Sequence, residues 1–193
     1  MLCEVKICFS IFQKKSREIY YNIIAHRGYY YVHPENTYNA FLDAINRHMT
    51  IETDVRITKD DYLVCFHDRY TKRMFGKFKK FSNLTLRDLK KYNIKNSVEK
   101  VALLNDLLKL TNSKVPLLLE IKGFLTNRFK KRLLYLIINY DGNIYFHAKN
   151  IITYFKLRRI WKNKVFYILN PFRKRFNFIK SRYYKRLYNN CIT

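Results

Sequence analysis

The chain has 193 residues, 48% hydrophobic and 17% aromatic, and a formal net charge of +25. These proportions exclude intrinsic disorder as the main state, and four Gly with three Pro leave no flexible linker, so one well-buried domain is expected. No run reaches the ~20 apolar residues of a bilayer-spanning helix. The opening MLCEVKICFSIFQKKSREIYY lacks the unbroken apolar stretch and cleavage site of a secretory leader, and the expected setting is cytoplasmic.

After Gly123, seventeen Lys and Arg face a single acid, Asp141. A field of that sign attracts phosphates, anionic membrane surfaces or nucleic acid, although it also suits a solvated basic surface. Nucleic acid is the least favoured of the three, because no zinc finger, RNP-like sequence or GXXG loop is present. Cys3, Cys8, Cys65 and Cys191 form no C-x-x-C pair. Their spacing matches neither a zinc site nor a disulfide framework, and reduced thiols are the expectation.

In chain order, residues 1–21 read as an extension ahead of the first strand. Asn22 to Ala25 is a short buried strand that ends in His26-Arg27-Gly28. A loop with His33 and Pro34 leads to Asn36 or Thr37, either of which can cap a helix over Tyr38 to Met49. His48 on that helix is a packing or surface residue. In the strand Ile51 to Thr58, alternation sends Glu52, Asp54 and Arg56 to one face. Lys59-Asp60-Asp61 turns the chain into Tyr62 to Phe66, which runs into His67-Asp68. A basic loop follows around Gly76. Thr85 with Asp88 forms a capping-box variant, and Val101 to Leu110 carries helically spaced leucines. Val115 to Ile121 is the next strand, with Glu120 and Lys122 on a shared face. Thr126 to Asn139 and Asn150 to Trp161 read as helices, and Asn143 to His147 and Lys164 to Leu169 as strands. A basic amphipathic tail follows Pro171. The domain is thus expected over 22–170 and the tail over 171–193.

Alternating strands and helices imply a parallel sheet with helical cover. Reactive groups recur at strand C-terminal ends, where (β/α) barrels keep their active sites. Glu52, Asp54 and Glu120, with no matching thiolates, suit a hard divalent cation, Mg²⁺ or Ca²⁺. Salt bridges to Arg56 or Lys122 are the plainer role for the same carboxylates. Arg27 and Lys122 would add positive charge to a phosphate, and His26 and His67 would divide proton uptake and release. Asp68 is read as fixing the turn or orienting a neighbour.

Taken in order, HRG at 26–28, PENT at 34–37, IETDVRITKDDYLVCFHD at 51–68, Arg73 with Gly76, TLRDL at 85–89, VALLNDLLKL at 101–110 and LLLEIKG at 117–123 resemble the glycerophosphodiester phosphodiesterase family. The resemblance implies a TIM-like barrel and hydrolysis of glycerophosphodiesters to sn-glycerol 3-phosphate and an alcohol. It places Glu52, Asp54 and Glu120 on the metal ligands, His26 and His67 on the acid/base pair, and Arg27 and Lys122 on the phosphate contacts. His147 falls where the family more often has a Ser-Phe pair and is read as a rim residue, as is His33. The segment from Asn22 onward is shorter than the ~250 residues typical of a full barrel, so about six of eight strands are expected. An inactive family member that binds phosphate, lipid or nucleic acid through its basic surface is the alternative.

Overall fold

The computed structural model describes residues 24–94, 96–148, 151–161 and 165–167. The expected N-terminal extension and basic tail, with Cys3, Cys8 and Cys191, lie outside the described residues. Among those residues six strands form one sheet: β1 (Ile24–His26), β2 (Thr50–Ile57), β3 (Leu63–Cys65), β4 (Leu117–Ile121), β5 (Ile144–Ala148) and β6 (Val165–Tyr167). The order β1-β2-β4-β5-β6 is parallel throughout, and each crossover among them after β2 carries helix, as parallel connections require. β3 departs from the all-parallel expectation. It pairs antiparallel with β2, because the turn between them is too short for a crossover. Thr58 closes that turn by donating its hydroxyl to Asp60 at 2.7 Å and accepting from the Tyr62 amide at 2.9 Å.

The helices are α1 (Tyr38–Asn46), α2 (Lys72–Phe75), α3 (Leu86–Lys90), α4 (Leu104–Thr111), α5 (Asn127–Ile137) and α6 (Ile151–Trp161). Thr37 caps α1, its hydroxyl accepting from the Ala40 amide at 3.3 Å. The helix buries Ala40, Phe41, Ala44 and Ile45 at helical spacing. It ends before Met49 because His48 is left-handed, φ 52°. The Thr85–Asp88 capping box forms at the start of α3. α4 starts three residues later than the leucine spacing predicts. Val101 bridges to Thr37 and Leu103 to Val64 in strand-like pairs, and tertiary pairing overrides propensity there.

Two apolar cores result. The larger packs Phe41, Ile51, Leu117, Leu119, Leu133 and Phe146 between sheet and helices. A satellite core gathers Val64, Phe66, Met74, Phe75, Phe81, Leu84, Leu89 and Ile94, with Phe66 stacked on Phe81 at 4.7 Å. The satellite is built almost wholly from residues 64–94, which leave and rejoin the main core at the strand ends that carry the polar groups. β1 exits through two consecutive left-handed residues, Arg27 at φ 58° and Gly28 at φ 80°. A Cβ on Gly28 would meet the Ala40 carbonyl carbon and oxygen at 2.9 Å. Gly28→Ala is therefore expected to lower stability by ~1–3 kcal/mol. A urea midpoint unchanged from the native chain would contradict the tight β1–α1 approach.

Candidate active site

Register assembles the polar groups. His26 pairs with Glu52 across β1 and β2. Asp54 pairs with Glu120 across β2 and β4, and Glu120 with His147 across β4 and β5. Residues paired across parallel strands face the same side, so Asp54, Glu120 and His147 form one row, with Glu52 two residues below Asp54 on the same face. All four are buried.

Buried carboxylates this close repel one another and need compensating positive charge. Lys122 supplies part of it. Its Nζ contacts Glu120 and lies 2.9 Å from Asp54 Oδ1, a separation that gives charge attraction but not hydrogen-bond alignment. Arg27 Nε lies 3.0 Å from Asp54 Oδ2, and the Arg27 backbone N–H donates to Glu52 Oε2 at 3.1 Å. His26 Nε2 stands 3.8 Å from the same Glu52 oxygen. His147 Nδ1 is 3.3 Å from Glu120 Oε2, and its Nε2 is buried without a hydrogen-bond partner.

The environments split the carboxylates. Burial, then the charges of Asp54 and Glu120, push the Glu52 carboxyl up to about 8 from its ordinary 4.5. Burial also opposes ionisation of Glu120, but hydrogen bonding from His147 and the Lys122 charge hold it well below the usual carboxylate range. Lys122 is partly buried, which opposes its charge, yet Asp54 and Glu120 keep its ammonium more firmly charged than usual. These groups fit a divalent cation. One donor atom from each of Glu52, Glu120 and His147 lies within 4.8 Å of the other two, and a dication there would counter the burial and like-charge repulsion that raise the Glu52 carboxyl.

His67 joins this cluster indirectly. Its Nδ1–H donates to Asp68 Oδ1 at 2.7 Å, so the ring's other nitrogen, Nε2, is turned away from that bond. Its carbonyl accepts from Arg56 Nε and Nη2 at 3.1 and 2.7 Å. Arg73 holds Asp68 with Nε and Nη2, at 2.7 and 3.1 Å, and Glu35 with Nη1 and Nη2, at 2.9 and 2.7 Å. Glu35 in turn accepts from Arg27 Nη1 at 3.0 Å. Burial works against the Asp68 charge, but Arg73 and then His67 hold its carboxyl below the ordinary value. A continuous chain of polar contacts thus runs from His67 to Arg27. Asn36, at φ 58° and buried, accepts from the Thr53 hydroxyl at 2.8 Å and reaches Asp54 at 3.5 Å.

His147 corrects the sequence reading: it is buried beside Glu120, not on the rim. The register that seats it there is invisible in the sequence. The sequence assigns no role to Glu35 or Arg73 and reads Asn36 only as a candidate helix cap, a place that Thr37 takes, although the PENT and Arg73 matches mark all three positions. His33 is a loop tie, with Nδ1 3.0 Å from Glu99 Oε1 and Nε2 3.7 Å from Asp43 Oδ2. Cys65 is buried, and burial pushes its thiol up to about 12, so it is not a nucleophile.

The glycerophosphoryl diester phosphodiesterase family model matches residues 26–181. The chain belongs to this family. It is similar to YhdW of Bacillus subtilis, assigned by name as a glycerophosphodiester phosphodiesterase, at 36% identity over 108 residues, 52% of this chain and 44% of YhdW. The matched region thus spans less than half of that relative. Among solved structures, a phosphodiesterase from Oleispira antarctica in complex with the product sn-glycerol-3-phosphate superposes with a TM-score of 0.69 at 22% identity, covering 86% of this chain and 70% of that one. The glycerophosphodiester phosphodiesterase of Thermotoga maritima gives 0.66 at 24% identity, covering 87% and 70%. Both share the α/β fold, a TIM-like barrel architecture. No helix among the described residues is long and apolar enough to cross a membrane.

The raised Glu52 carboxyl has a consequence for stability. Between about pH 5 and 8 the folded chain keeps a proton that the unfolded chain has lost. Its stabilising contribution is complete below pH 4.5 and lost as pH rises through about 8. Without divalent cations the melting temperature should therefore fall over that window, and Glu52→Gln should flatten the slope. An identical slope in the variant would assign the effect to another group.

Proposed function

We propose that this chain hydrolyses glycerophosphodiesters to sn-glycerol 3-phosphate and an alcohol, using a divalent cation. The observation that carries this reading is the row Asp54–Glu120–His147 with Glu52 beneath it, bordered by Arg27 and Lys122. Glu52, Asp54 and Glu120 are the carboxylates we assign to the ion; donor atoms of Glu52 and Glu120 already lie within 4.8 Å of each other and of one from His147, and Asp54, which faces Arg27 and Lys122, would complete the set. Oxygen donors favour Mg²⁺ or Ca²⁺ over softer metals. When bound, such an ion offsets the phosphodiester charge and polarises a phosphoryl oxygen.

Arg27 and Lys122 bind and orient the phosphate, since each already carries a charge fixed beside the carboxylates. One of His26 and His67 accepts the proton of the attacking hydroxyl, and the other donates one to the leaving alkoxide. Asp68 positions His67 by holding its Nδ1–H, so that the Nε2 atom moves the proton. The attacking group is water or the substrate's own glycerol hydroxyl. The latter gives a cyclic phosphate first, as would intramolecular cyclisation of a lysophospholipid at the same residues.

The test is release of glycerol 3-phosphate from glycerophosphocholine by the purified chain with Mg²⁺ or Ca²⁺, followed by phosphorus NMR to detect any cyclic intermediate. Chelation should abolish turnover. His26→Ala and His67→Ala should each lower kcat by about 100-fold or more, and native rates in either variant would remove that histidine from the mechanism. Asp68→Asn should lower kcat by roughly 10–100-fold, as removal of an orienting partner does, with KM little changed. A rise in KM alone would instead make Asp68 a binding residue.

A further inference from the structure

An exposed feature lies on the segment that leaves His67 and Asp68. Residues 69–80, RYTKRMFGKFKK, contain no acid. Met74 and Phe75 point into the satellite core, whereas Tyr70 and Phe78 stay out of it. Their rings stack face to face, centroids 4.8 Å apart at 10°, and Phe78 remains 68% exposed. The segment is held rigidly. Tyr70 bridges to Lys80, the Thr71 amide donates to the Lys79 carbonyl at 2.9 Å, and Gly76 ends α2 in the left-handed conformation. An aromatic pair kept in water on a fixed turn calls for a partner.

The charges around it say which. Arg69, Lys72, Lys77, Lys79 and Lys80 are exposed, and none is ion-paired to a carboxylate among the described residues. Arg73 alone is neutralised, and its bonds to Glu35 and Asp68 fix the segment at the mouth of the site. Phe124, 69% exposed, stands two residues past Lys122 on the loop after β4. We infer that this end of the molecule docks on an anionic lipid bilayer, with Tyr70 and Phe78 entering the interface and Lys77, Lys79 and Lys80 meeting headgroup phosphates. Aromatic rings and lysine stems both suit the boundary between headgroups and acyl chains, and juxtamembrane lysines draw energy from anionic lipid. Single-stranded nucleic acid fits less well. It stacks bases on open ring faces, and here the two rings cover one another while the Arg69 guanidinium lies 5.7 Å from the Tyr70 centroid. The inference relies on the proposed phosphodiesterase reading only for the meaning of the docked end; binding is measurable without any turnover.

The experiment uses the full chain and vesicles of phosphatidylcholine with or without phosphatidylglycerol. Co-sedimentation is expected with the anionic vesicles and lost with phosphatidylcholine alone. Replacing Lys77, Lys79 and Lys80 together by Gln should weaken partitioning by about 100-fold at low salt. In F78W, tryptophan emission should shift to the blue and be quenched by brominated lipid beyond the change seen in the native chain. Native-like vesicle binding by the triple variant, or F78W emission that brominated lipid leaves unquenched, overturns the inference. So does a triple variant that loses polyuridylate binding but keeps vesicle binding, which would assign the patch to nucleic acid. Hydrolysis of water-soluble glycerophosphocholine, measured in parallel, should stay within about two-fold of native in both variants. Failure of every form to hydrolyse it would refute the proposed activity and leave the docking result standing.

Discussion

Mutual repulsion among Glu52, Asp54 and Glu120 is the constraint to which the surrounding structure answers. Their carboxylates come together on adjacent strands out of bulk water, where like charges are strongly unfavourable. Each compensating group arrives from a different place: Arg27 from the loop after β1, Lys122 from the end of β4, His147 from β5. The loops at this end are therefore pinned by charge as much as by packing. The compensation is uneven. Glu120 is held by Lys122 and His147 and stays ionised, whereas Glu52 is seated by the Arg27 backbone N–H and tends to neutrality. That imbalance marks where additional positive charge would be most welcome.

Much of this was legible from residue order. Period-two alternation put Glu52 with Asp54 and Glu120 with Lys122, and the capping signals at Thr37 and Thr85 both formed. Strand register was not legible, because no local signal sets the pairing of strands as far apart as those holding Asp54 and Glu120. His147 shows the cost of that blindness: its burial follows only from its pairing with Glu120. Arg73 shows another. Within a basic run its charge alone does not set it apart from Lys72, and its part in the site follows only from the reach of its guanidinium toward Glu35 and Asp68. Val101 and Leu103 mislead in the opposite direction, since their helical spacing is real but strand-like contacts claim them first.

The satellite core gives residues 64–94 a packing of their own, while their tie to the loop after β1 is ionic. Arg73 bridges the two, half exposed, between carboxylates that belong to different loops. Apolar burial thus shapes the insertion and ion pairs aim it.

Position 27 divides its work between atoms. The backbone N–H that seats Glu52 is available because the residue sits in the left-handed region ahead of Gly28, whereas the guanidinium spans Asp54 and Glu35. Any residue able to adopt that backbone would retain the first bond. A substitution there that keeps the left-handed backbone would consequently leave the seat of Glu52 in place while stripping Asp54 and Glu35 of a cation, so the two duties of this turn can be separated by changing the side chain alone.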